Sequence, residues 1–199
     1  MIISKRWLLA LVAVLVAGAA LVIVPTHIAS TSPVSMAAQS ANAISKVNTI
    51  RVSFQRQSGG PTSAYSTEVL TGIRSNNDPP FAPFGSHIDA QYSLWGIVPG
   101  WSSSSLQVVN DWVYHDGWLG SMKRTLNGDC TSASASGCNG HRRAVLSSPP
   151  MSGATLRIDI ETRQVKYQGS KYLAVAALLV WSKPTSSASN VAYNQRTLG

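Results

Sequence analysis

The two segments Leu156–Glu161 (LRIDIE) and Tyr172–Trp181 (YLAVAALLVW) decide the fold of this chain. In the first segment apolar residues alternate with charged ones, which is the pattern of a strand buried on one face. The second segment is almost wholly apolar and rich in Val, Leu and Ala, which predicts a central strand buried on both faces. With a turn near Gly169 between them, the two segments predict a pair of antiparallel strands.

Helical periodicity dominates the residues before these strands. Apolar residues recur three or four apart over about 41–55 and again over about 62–75, and a third helix is expected to begin within Ser102–Ser105. Tyr92–Pro99 predicts a short buried strand, and Arg143–Leu146 predicts a short helix. Because helices come first and strands last, the order indicates an α+β domain with helices packed on a sheet.

The N-terminus has the composition of an export segment. Lys5 and Arg6 precede an uncharged apolar run, Trp7–Val24, which Pro25 ends. A basic start and an apolar core are typical of a secretory signal, and this run is also long enough to span a bilayer as a helix. Cleavage and anchoring both remain open, and in either case the rest of the chain is expected outside the plasma membrane.

Composition divides the chain into four parts. We assign residues 1–26 to the signal or membrane anchor, the Ser- and Ala-rich residues 27–40 to a linker, 41–183 to the folded domain and the Ser-rich residues 184–199 to a flexible tail. The domain is large enough to bury a core of its own.

Charge and cysteine content narrow the class of protein. The net charge of +8 is spread thinly, which favours solubility and attraction to anionic wall polymers or lipids over binding of nucleic acid. Cys130 and Cys138 are the two cysteines, and outside the cytosol such a pair predicts a disulfide bond. The chain has no H-E-x-x-H, G-x-S-x-G, Walker A or G-x-G-x-x-G motif, so common enzyme signatures give no support.

Five short motifs follow one another along the domain. They are Asn76–Phe81 (NNDPPF), Tyr92–Gly96 (YSLWG), Val109–Gly117 (VNDWVYHDG), Gly128–Cys130 (GDC) and Gly137–Leu146 (GCNGHRRAVL). In this order the chain resembles the CAP superfamily, also called the SCP domain, and more narrowly its divergent bacterial branch. The resemblance runs from about Ala43 to Trp181.

The resemblance implies an α-β-α sandwich with a central antiparallel sheet. It also implies a cleft in which two histidines, matched here by His87 and His141, hold a divalent metal such as zinc with one or two acidic residues. The family's cleft glutamate has no counterpart, because the matching stretch around Trp95 lacks a carboxylate. Asp89 or Asp111 is the candidate replacement, and two imidazoles alone bind zinc poorly.

Two functions remain open from the sequence. The first is a non-enzymatic extracellular module that binds a wall polymer, a lipid or a protein through a cleft formed by His87, His141, Trp95 and Asp111. The second is a metal-dependent hydrolase or protease of the cell surface, in which a metal-bound water attacks an amide or ester. A plainer interpretation is that His141 and the tryptophans only pack the core.

Overall fold

Four helices and four strands occur in the parts of the chain that the structure, a computed structural model, describes: residues 34–85, 87–118 and 130–183. They are α1 (Met36–Ser53), β1 (Gly60–Pro61), α2 (Ser66–Ser75), β2 (Ile88–Pro99), α3 (Ser105–Tyr114), α4 (Gly140–Val145), β3 (Thr155–Tyr167) and β4 (Ser170–Ser182). The α+β class is confirmed.

The four strands form one mixed sheet in the order β1-β3-β4-β2. β4 pairs antiparallel with both β3 and β2, whereas β1 joins β3 in parallel through Gly60 and Pro61. The expectation of a purely antiparallel sheet is therefore wrong at this edge. Gly59 lets β1 approach β3 closely, because a Cβ there would lie 2.6 Å from the Ile158 side chain.

The prediction of a central strand is confirmed by β4. It lies between β3 and β2, and Leu173–Trp181 is completely buried. Alternate residues of β4 face two separate apolar clusters, one shared with α1, α3 and α4 and the other with α2. Because side chains alternate across a strand, helices on both faces of the sheet are what an almost wholly apolar strand requires.

Helix α1 begins earlier than the sequence predicts. The Ser35 hydroxyl accepts a hydrogen bond from the N–H of Ala38 at 3.2 Å, so the helix begins at Met36 and not near residue 41. The predicted linker therefore ends in helix. Gln39 explains why these residues are ordered, since its side chain accepts from the N–H of Ser105 and donates to the carbonyl of Ser103.

The other boundaries differ by a few residues. α2 begins at Ser66 and not near 62, because Thr62 donates its N–H to Ile158 of the sheet. Asp159 of β3 accepts the N–H of Tyr65 at 2.9 Å and so caps α2 from the neighbouring strand. β2 begins four residues before the predicted strand, whereas α3 follows its N-cap, Ser104, within the predicted range.

The disulfide between Cys130 and Cys138 is confirmed. It closes the segment that leads into α4, and Arg143 of that helix donates to the carbonyl of Cys138 at 2.8 Å. The predicted signal or anchor segment and the predicted tail both lie outside the described residues. Within the described part, none of the helices has the length and apolar character needed to cross a bilayer.

Candidate functional site

A cavity of about 440 Å³ opens beside β2, at the end of the described sheet. The loop after α2 forms one side of the cavity, and α3 and the start of α4 form the other. Its polar lining consists of Asn76, Asn77, Asp78, Asp111, Asp116 and His141. Its apolar lining includes Trp95, Ile97, Pro99, Val108, Trp112 and Tyr172.

A hydrogen-bonded pair of His141 and Asp116 occupies this cavity. The Nδ1 of His141 lies 2.7 Å from Oδ1 of Asp116, and the other carboxylate oxygen accepts the backbone N–H of Arg142 at 2.9 Å. Asp116, at the end of α3, is 2% exposed, so its charge is held in the interior by these donors. The imidazole is thereby fixed in orientation at the start of α4.

Two carboxylates determine the charge of His141. Burial lowers the pKa of the imidazole, but the hydrogen bonds and charges of Asp116 and Asp78 outweigh burial and raise the pKa to about 9. Asp78 contributes from the loop after α2, where its Oδ1 lies 3.8 Å from Nε2 of His141, an ion-pair distance longer than a hydrogen bond. His141 is therefore an imidazolium at neutral pH.

Trp112 packs on this imidazolium and is itself hydrogen-bonded to the sheet. The ring of Trp112 stacks on the ring of His141, with centroids 6.4 Å apart and planes 23° apart. The indole N–H of Trp112 donates to the carbonyl of Trp95 in β2 at 3.1 Å. Trp95 itself packs edge-on against Tyr167, and its buried indole N–H has no partner among the described residues.

Asp111 lines this cavity, in agreement with its prediction as a cleft residue. Its Oδ1 lies 2.9 Å from Nδ1 of His115, one helical turn later in the chain. The structure thus brings three of the four predicted cleft residues together, namely His141, Trp95 and Asp111.

His87 lies just before the start of β2. It is exposed, directly precedes the strand, and accepts the N–H of Lys183 at 2.8 Å through its carbonyl; it does not line the cavity around His141. Within the described ranges no three histidine, cysteine, aspartate or glutamate side chains are grouped closely enough to hold a metal ion. Joint metal binding by His87 and His141 therefore stays a prediction.

A zinc ion at His141 would have to displace a proton. A metal ligand must be a neutral imidazole, and the pKa of about 9 keeps His141 protonated at neutral pH. Asp89, one candidate for the missing carboxylate, lies at the irregularity near the start of β2, and one of its oxygens is buried without a partner in the described part of the chain.

Sequence reasoning missed Asp116 and Asp78, although both stand in the quoted motifs. Asp116 follows His115 in the sequence, yet its carboxylate pairs with His141, 25 positions further on. The sequence offered two signals: Asp116 stands next to Gly117, and His141 stands near the start of a helix. Neither signal shows that the two side chains are close in space.

The groups that line the described part of the cavity can orient a ligand. No serine, threonine or cysteine is among the described residues that line it, and its histidine carries a proton instead of accepting one. Its described lining combines an imidazolium, three carboxylates and two amides with aromatic rings, and such groups orient a ligand by hydrogen bonds and apolar contact.

Comparison with known proteins gives no relative: no family model, no curated protein and no solved structure matches this chain.

Proposed function

We propose that the chain is an exported, CAP/SCP-like binding module that is not an enzyme and that holds its ligand in the cavity around His141. The observation that carries this proposal is the charged pair of half-buried His141 and buried Asp116, in a cavity whose described lining contains no serine, threonine or cysteine. A protein interior tolerates such a pair only when its hydrogen bonds are satisfied, so the arrangement is a rigid anchor for a ligand.

The fold supports the proposed family in its coarse features. Helices cover both faces of the sheet, and the motif histidine of Gly137–Leu146 lies in a cleft with motif residues from Asn76–Phe81 and Val109–Gly117. These features support the layered arrangement that the resemblance implies. The short parallel strand β1 is the feature that departs from it.

The test is binding by the exported chain and two variants. We expect one of three probes, purified wall polymer, anionic lipid vesicles or an extended peptide, to bind wild type, and His141→Ala to reduce its affinity about tenfold or more. His87→Ala is the matched control and should bind as wild type does, since His87 lies outside the cavity. Equal affinities of wild type and His141→Ala for every probe, with the fold intact by circular dichroism, would overturn the proposal.

One observation favours the alternative of a metal-dependent hydrolase. A carboxylate on Nδ1 of a histidine is the arrangement that orients metal-binding imidazoles, and Asp78 stands near the free Nε2. Zinc titration by calorimetry at pH 7 separates the two functions. The binding module predicts no stoichiometric zinc, whereas one zinc per chain that is lost in the His87→Ala/His141→Ala double variant would revive the hydrolase.

A further inference from the structure

The outer edge of β2 carries unpaired backbone groups. In the described sheet β2 pairs only with β4, and in an antiparallel pair the N–H and C=O of alternate residues point toward the partner. Gly100 donates its N–H to Lys171 of β4, while the carbonyl of Trp95 accepts from Trp112 on the other side. Near this end of β2, the backbone N–H and C=O groups of the even-numbered residues therefore point toward β4. Those of Ser93, Trp95 and Ile97 point away from β4, toward the outer edge.

Two cavities follow this edge. The cavity around His141 borders β2 along Trp95–Pro99, and a second one of about 260 Å³ borders it along Gln91–Ser93. Asp78 and His141 line both, so the two cavities meet at this ion pair. Together they form a groove along the edge of β2 that is about 27 Å long, at about 3.4 Å per residue.

The groove has a preferred charge. Asp78, Asp111 and Asp116 line it, and His141 is the cation among them. The side chain of Asp78 is 46% exposed, so it is accessible to a ligand. A groove with three carboxylates and one imidazolium attracts basic segments and repels acidic ones, although the chain as a whole is basic.

The aromatic rings favour a polypeptide over a sugar. A sugar ring needs a free aromatic face, but Trp112 is 3% exposed and stacks on His141, and Trp95 is engaged with Tyr167. Apart from the Trp95 carbonyl, which accepts from Trp112, the outward backbone N–H and C=O groups of Ser93, Trp95 and Ile97 have no strand partner among the described residues. Such a row is complementary to another extended backbone.

We propose that this groove binds an extended, basic segment of another polypeptide as an added strand on the outer edge of β2. The N–H groups of Ser93, Trp95 and Ile97 and the carbonyls of Ser93 and Ile97 pair with the ligand's backbone, and a lysine or arginine of the ligand reaches Asp78. This inference rests on the proposed binding function and names the class of ligand for the same site.

The first experiment measures binding of a fluorescent peptide of about nine residues, alternating Thr and Val with a central Lys, by fluorescence anisotropy. In a series of peptides that each carry one N-methylated amide, affinity should fall only at alternate positions. The fall should be largest, about tenfold or more, at the two amides that donate to the carbonyls of Ser93 and Ile97. The matched peptide with a central Glu should bind several-fold more weakly at low salt. Absence of peptide binding, or equal effects at all N-methyl positions, would overturn the inference.

The second experiment removes a backbone N–H from the outer edge of β2 by mutation. Ser93→Pro removes one outward N–H at an edge strand, where proline is tolerated, and should weaken peptide binding about tenfold. Ser93→Ala keeps that N–H and removes only the side-chain hydroxyl, so it should weaken binding by clearly less than Ser93→Pro does. Should Ser93→Pro fail to fold, hydrogen exchange on wild type decides. Bound peptide should slow exchange at Ser93, Trp95 and Ile97 and leave the already paired Leu94, Gly96 and Val98 unchanged; uniform slowing, or none, counts against strand addition.

The two proposals fail differently. If a wall polymer or vesicle binds in a His141-dependent manner and no peptide does, the binding function stands and strand addition is wrong. If the peptide binds with the alternating pattern and His141→Ala leaves its affinity unchanged, strand addition stands and the role of His141 as an anchor is wrong.

Discussion

At the scale of single residues, two cations, His141 and Arg51, connect distant parts of the described chain. Each is stabilised by a different kind of partner. His141 has the carboxylates of Asp116 and Asp78. Arg51 donates hydrogen bonds to the backbone carbonyls of Gln57, Val145 and Ser147, and its guanidinium lies over the ring of Trp181. The stability of a cation that is paired with a carboxylate depends on pH. A cation that is held by neutral carbonyls needs all of those hydrogen bonds to remain buried.

We expect stability to fall as pH rises through the titration of His141. Its folded-state pKa is raised from 6.5 to about 9, so its contribution is complete below pH 6.5 and is lost as pH approaches and passes 9. The loss should amount to roughly 2–3 kcal/mol, seen as a falling thermal midpoint between pH 6.5 and 9.5. His141→Gln should be less stable at pH 6.5 but nearly flat over this window; a slope as steep as that of wild type would contradict the assignment.

Arg51→Lys is expected to destabilise the protein by about 2–4 kcal/mol. The lysine ammonium cannot reproduce the planar guanidinium that donates to Gln57 and Ser147 at 2.7 Å and 3.0 Å and also to Val145, so buried carbonyls lose their partners. Urea unfolding measures the change. Arg56→Lys, at an exposed position five residues later, is the control and should change stability by less than about 0.5 kcal/mol.

At the scale of elements, the contact between β2 and α3 depends on one glycine. A Cβ at Gly96 would lie 2.6 Å from a Val108 methyl and 3.0 Å from the indole nitrogen of Trp112. Gly96→Ala should therefore push α3 away from β2, break the bond of Trp112 to Trp95 and cost about 1–3 kcal/mol. Thermal unfolding tests this beside Gly85→Ala, whose Cβ meets nothing within 4 Å; equal effects of the two substitutions would refute the packing argument.

At the scale of the whole molecule, β4 should be the most stable part of the backbone. Residues 173–181 are completely buried, and the strand has a partner on each side. Native-state hydrogen exchange should show the slowest amides there, with rates set by global unfolding, and faster exchange in the short helix α4. Faster exchange in β4 than in α1 would show that the sheet opens separately.

The sequence predicted the parts of the fold that local patterns encode. Alternation identified β3 and the apolar run identified β4, because both depend on neighbours in the sequence. β1 was missed because two residues carry no period, and the start of α1 was missed because alanines and serines resemble a linker although alanine favours helix. Charge pairs such as His141 with Asp116 escape sequence reasoning because they join residues from different elements.

The position of β4 also fixes when the sheet can form. Both β2 and β3 pair with β4, yet β4 comes after both of them in the chain. During synthesis, or during passage through a pore from the N-terminal end, neither strand has its central partner until residue 182 has emerged. Arg51 can reach its partners earlier, since it donates to the carbonyls of Val145 and Ser147, 94 and 96 residues later, and both precede β3 and β4 in the chain. The sheet of the described residues can therefore be completed only once its most C-terminal strand, β4, is available.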